Sequence, residues 1–173
     1  MAIVYALVAY WGYCGYRGFG GFGEYGRTYF PEQVSLALRL QLFAWSTLLP
    51  ACMLVVSIGR LANHRFGTPQ DIHGSGLTVG TERAKLLQAL LQNTLEQCVL
   101  AFTVYLAGSL LLPAPLLGWV PAASIMFLTG RLLFFAGYQK GAPGRALGFG
   151  LTFYPTVIML VALILSGLIK LIS

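Results

Sequence analysis

Long apolar blocks separated by short polar connections dominate this chain. The first runs from about Leu36 to Gly59 and contains Trp45 and Pro50; the second runs from about Arg83 to Leu112. A third extends from about Trp119 to Tyr138 and a fourth from about Arg145 to Ile169, with Pro155 inside it and Lys170 near its exit. Each reaches or exceeds the roughly 20 residues that an α-helix needs to cross a hydrocarbon core of about 30 Å. Pro50 should kink the first block, whereas Pro121 sits in the permitted first turn of the third. Thr81 is a suitable N-cap for the second, just ahead of Glu82 and Arg83. Arg39, near the start of the first, is placed to snorkel to the interface. The pattern predicts an all-α integral membrane four-helix bundle over residues 35–173, with a separate N-terminal segment at 1–34.

That N-terminal segment has its own pattern. Residues 1–16 are apolar and aromatic but short for a span, and they lack the basic start and small-residue cleavage site of a signal peptide. They read either as an interfacial or partly inserted helix, or as an extra span that starts upstream. Gly18-Phe19-Gly20-Gly21-Phe22-Gly23 formally matches G-x-G-x-x-G, but no strand and helix unit surrounds it, so it carries no nucleotide chemistry. Tyr25, Tyr29 and Phe30 suit the headgroup level of a membrane-surface loop.

Composition agrees with the bilayer as solvent: 57% of the 173 residues are hydrophobic and only 9% charged, with mean hydropathy +0.75. The net charge of +6 would suggest nucleic acid in a polar protein. Here it is loop charge that sets topology. The side with the connections at 61–81 and 139–144 collects Arg60, Arg65, Arg83, Lys85, Lys140 and Arg145, while the turn at 113–117 has no charge. The positive-inside rule puts the two polar loops in the cytoplasm. Cys14, Cys52 and Cys98 lie in apolar surroundings without metal or redox spacing and read as small buried hydrophobes. His64 and His73 fall in the 61–81 connection with no ligand spacing and read as solvated.

Two charges lie deep in apolar helices. Lys85, Gln88, Gln92 with Asn93, and Glu96 recur at helical spacing and form one polar stripe on the second block. Glu96 lies roughly 16 Å along the axis from Lys85, and Arg131 of the third block roughly 10–12 Å from the same membrane side. Buried charges in a membrane are costly unless paired, so the expectation is an ion pair between Glu96 and Arg131, with Asn93 adding a hydrogen bond. The pair would fix helix register or position a ligand.

Taken together, Glu82-Arg83, Asn93-Thr94-Leu95-Glu96, the run from Gly130-Arg131 to Gly137-Tyr138, and Ala142-Pro143-Gly144-Arg145 resemble the MAPEG family, the membrane-associated proteins of eicosanoid and glutathione metabolism. The similarity covers about residues 36–170. It implies a homotrimer of four-helix protomers that binds glutathione between neighbours near the cytoplasmic face, and a lipophilic partner, substrate or lipid, that arrives from the bilayer. By that resemblance Arg145 is the catalytic arginine that stabilises the glutathione thiolate, and Arg60, Asn93, Glu96, Arg131 and Tyr138 bind the tripeptide. A cluster of arginines suits an anion with two carboxylates and a thiol, and a guanidinium beside sulfur favours the thiolate. The chain departs from the family's pattern at Ala89, where an arginine is common, at Gln97, where a tyrosine often follows the glutamate, at Phe134, where a tyrosine hydroxyl is often used, and at Ala136, where a polar residue is replaced. The segment after Ala142 is closer to the family's divergent mattrin-like branch. The functional expectation is a glutathione-dependent transferase or peroxidase for lipophilic electrophiles or lipid hydroperoxides; the alternative is a non-catalytic lipid-binding or scaffold protein of the same fold.

Overall fold

The structure, a computed structural model, describes residues 34–74 and 79–172. The expected N-terminal segment, apart from its last residue, lies outside them. Among the described residues every regular element is helical: α1 (Leu36–Gly67), α2 (Glu82–Leu111), α3 (Trp119–Gly137) and α4 (Gly141–Ile172), with short 3-10 turns at Ala114–Leu116 and Tyr138–Lys140. Three helical runs are long and apolar enough to cross a membrane, namely Leu36–Gly67, Glu82–Leu111 and Ala114–Ile172. The last is interrupted where the Tyr138–Lys140 turn and Gly141, at φ 78°, fold α4 back onto α3.

Each end of α2 is closed by a side chain. Thr81 accepts the Ala84 N–H at 3.2 Å and so fills the predicted N-cap. At the other end Arg39 of α1 donates to the carbonyls of Ser109 at 2.9 Å, Leu110 at 3.3 Å and Leu112 at 2.8 Å. Those carbonyls have no partner within the helix, and a cation there also complements the helix dipole. Arg39 is therefore a cap for its neighbour.

Pro50 has no N–H to give the Ser46 carbonyl, which would stand unpaired in an apolar interior. Ser124 of α3 donates to that carbonyl, and Cys98 of α2 donates its thiol to the Pro50 carbonyl at 3.3 Å. The proline is thus the point at which α1 is fastened to both neighbours. Tyr105, Phe127 and Met159 fill the largest apolar core, and a smaller one forms around Leu61, Leu87, Leu90 and Phe134.

Small residues set the closest helix contact. On α4, Gly144, Gly148 and Thr152 repeat every fourth residue and face Gly130, Phe134 and Gly137 of α3. A methyl on Gly148 would meet backbone atoms of Phe134 and the Gly130 carbonyl. In a bilayer such contacts replace the hydrophobic effect as the source of helix association. They hold Arg145 at a fixed place beside Tyr138.

Two boundaries differ from expectation. α1 continues to Gly67, so His64 and Arg65 lie on a helix, because nothing before Thr68-Pro69 breaks it. α4 begins at Gly141, because Pro143 is tolerated in a first turn, where its missing N–H has no helical partner to lose.

Candidate functional site

At the end of the molecule that carries the α1–α2 and α3–α4 connections, an open groove of about 500 Å³ separates α2 from α4. Its size suits a small-molecule ligand. α2 contributes Ala89, Gln92, Asn93 and Glu96, and α4 contributes Ala142, Arg145, Ala146 and Phe149. The two sets have matching helical spacing, so each is a stripe facing the other. Phe134 and Tyr138 close the floor. The Arg145 guanidinium lies 5.0 Å from the Tyr138 ring centre, and Tyr138 meets Phe134 edge-on at 5.3 Å. Glu96 accepts from Gln92 Nε2 at 2.9 Å.

Asn93, Glu96, Tyr138 and Arg145 thus share one cavity, as the sequence-based site requires. Arg131 is close but behind the wall. It is fully buried, with Nη1 donating to Asn93 Oδ1 at 2.9 Å, Nη2 donating to Thr94 Oγ1 at 2.7 Å, and the guanidinium 4.2 Å from the Phe134 ring centre. Its Nε has no hydrogen-bond partner. Arg60 lies over Phe135 at 5.2 Å and does not line the groove.

The expected Glu96–Arg131 ion pair does not form. The buried face of α2 runs through Leu87, Leu90, Thr94, Cys98 and Ala101. Glu96 is two residues from Thr94, about 200° around the helix, so it points away from the molecule's interior. Asn93 lies on the flank between the two and is the part of the prediction that holds. Of the departures from the family pattern, Ala89 and Phe134 line the groove, whereas Gln97 is buried on the protein-facing side and takes no part in it.

A second polar cluster was not legible in the sequence. Asp71 is 2% exposed and accepts from Thr81 twice, from the backbone N–H at 2.8 Å and from the hydroxyl at 2.6 Å. His64 Nε2 adds a contact at 2.9 Å. The Thr81 hydroxyl and N–H, followed by His64, hold the Asp71 carboxyl below its ordinary value of 3.8, against the opposing cost of burial. The cluster ties the end of α1 to the start of α2. Beside it a hollow of about 380 Å³ is lined by Arg65, Lys85 and Gln88 and shares Ala89 and Gln92 with the main groove. Thr81 caps α2 through its oxygen and gives its hydroxyl hydrogen to the buried Asp71, so both groups are spent on joining the two helix ends and the cluster reads as a structural tie.

Comparison with known proteins adds the family. The model of the MAPEG family matches residues 42–165. No curated protein matches, and no solved structure does. The matched stretch takes in the greater part of α1 and α4, all of α2 and α3, and every residue of the groove; the chain therefore belongs to the MAPEG family, and with its apolar helices it is an integral membrane protein.

Proposed function

We propose that this protein is a glutathione-dependent membrane transferase or peroxidase acting on lipophilic electrophiles or lipid hydroperoxides. One observation carries the reading: the family's chemistry-bearing residue types, Asn93, Glu96, Tyr138 and Arg145, converge on a single groove. The donor set fits glutathione. Arg145 offers a guanidinium at the rim, the Asn93 side chain adds a polar group and Glu96 an acceptor for an ammonium, while the Arg131 charge beneath Phe134 biases the wall toward anions.

When bound, glutathione supplies a thiol that adds to an electrophile or gives up electrons to a hydroperoxide. The protein's part is to bind, orient and activate. The Arg145 cation favours the ionised sulfur over the protonated one, and the Tyr138 ring beneath it restricts where the guanidinium can swing. Glu96 and Asn93 fix the peptide, so that the sulfur rather than a carboxylate is left to Arg145. Phe149 and the alanines of α4 provide an apolar wall toward the bilayer, along which a lipophilic partner enters.

In this reading the protomer crosses the membrane four times, α3 and α4 being separate spans, with connections 61–81 and 139–144 in the cytoplasm. Protomers associate as a homotrimer. Support comes from the outward Gln92 and Glu96 on α2: polar groups at that depth need another protein surface or a ligand rather than lipid. A second reading, a non-catalytic lipid-binding or scaffold protein, is favoured by the apolar Ala89 and Phe134 in the groove wall. The test is glutathione binding to the purified protein with detection of the thiolate by its ultraviolet absorbance. Binding with ionisation supports the enzyme, and no binding at millimolar glutathione supports the scaffold.

A further inference from the structure

Thr94 follows Asn93 and is completely buried. Its hydroxyl hydrogen is committed, because Oγ1 donates to the Leu90 carbonyl at 2.7 Å. Toward every other neighbour the oxygen is an acceptor. Arg131 Nη2 donates to it at 2.7 Å, and the Ser57 hydroxyl of α1 lies 3.3 Å away. The other terminal nitrogen of the same guanidinium donates to Asn93 Oδ1 at 2.9 Å. A guanidinium has only donors, so Asn93 must turn its oxygen inward, which leaves its NH2 as the group presented to the groove.

We infer that Thr94 is a positioning residue: it holds Arg131 inside the protomer, and so fixes the Asn93 amide as a donor to the ligand and leaves Glu96 without a cationic partner. The inference rests on the glutathione reading. Without the Thr94 oxygen Arg131 keeps one hydrogen bond, since Nε has none. The acceptor it keeps, Asn93 Oδ1, is on the groove side. A guanidinium held by that one bond no longer fixes the amide in the orientation that presents its NH2 to the ligand.

The experiment measures glutathione affinity and thermal stability of the detergent-purified full chain for the parent, Thr94→Val and Thr94→Ser. Valine keeps the shape and removes the acceptor; serine restores it. The loss of one hydrogen bond to a charged group corresponds to about tenfold weaker binding. The expected result is about tenfold weaker glutathione binding by Thr94→Val, a lower melting temperature because a buried guanidinium loses an acceptor, and recovery of both in Thr94→Ser. Parent-like affinity in Thr94→Val overturns the positioning role and leaves the glutathione reading standing. Absence of binding by the parent overturns the glutathione reading, and this inference with it. Where Thr94→Val yields too little folded protein, Thr94→Cys takes its place. Sulfur is a weak acceptor, so affinity should fall from serine to cysteine, and equal affinities refute the role.

Discussion

Gly148→Ala adds one methyl at the crossing of α3 and α4, and its effect follows from what that methyl meets. Phe134 Cα lies at 2.6 Å and the Gly130 carbonyl oxygen at 2.7 Å, with the Phe134 backbone nitrogen closer still. Nonbonded carbon contacts are comfortable at about 3.5–4.0 Å, so α4 must retreat by about 1 Å. The obstacles are backbone, so no side-chain rotation relieves them. Overpacking of this kind costs about 1–3 kcal/mol, partly masked by the gain of about 1 kcal/mol that alanine brings to a helix interior. Gly167→Ala isolates the second term, because a methyl there meets nothing within 4 Å. The two variants share the propensity gain, so their difference in stability is the clash alone. At about 2–4 °C per kcal/mol, thermal unfolding in detergent should put Gly148→Ala several degrees below Gly167→Ala. Its glutathione affinity should fall as well, since α4 carries Arg145. Equal melting temperatures for the two alanine variants would refute the tight crossing.

Glu96→Gln tests the corrected electrostatics. A carboxylate whose hydrogen bond among the described residues comes from Gln92 should lose clearly less stability when neutralised than the about 3–5 kcal/mol of breaking a buried pair with Arg131; thermal unfolding distinguishes them. Asp71 gives a pH dependence. Its carboxyl ionises below the ordinary 3.8 in the folded protein, so its contribution is present in full above that value and is lost as pH falls through the lowered one. A melting-temperature series from pH 5 downward should steepen for the parent and stay flatter for Asp71→Asn, and parallel curves would contradict the tie.

The apolar periodicity was enough for the helices, and Thr81 was identifiable as a cap from its residue type and position. The failures share a cause: periodicity finds a stripe but not what lies opposite it. Lys85, Gln88, Gln92 and Glu96 form a true stripe, yet it faces outward and into the groove, while the protein-facing polar group that meets Arg131 is Thr94, a residue with no charge to draw attention. A hydroxyl inside an apolar helix, four residues after the Leu90 carbonyl to which it donates, was the available signal. Arg39 was placed correctly at a helix end, but its target is α2, some 70 residues away. His64 was read as solvated because Asp71 and Thr81 become its neighbours only when the connection folds back. Of the groove residues, Asn93, Glu96 and Tyr138 lie on helix faces that spacing picks out, whereas Arg145 came from the family resemblance alone.

The proposed function gives Arg145 the activation of glutathione in the groove between α2 and α4. Its most direct test is glutathione titration of detergent-purified protein with thiolate absorbance recorded for the parent and for Arg145→Ala. The expected result is millimolar or tighter binding with a thiolate signal in the parent, and loss of that signal in Arg145→Ala with residual binding through Asn93 and Glu96. Binding without a thiolate signal, or a signal unchanged in Arg145→Ala, would contradict it.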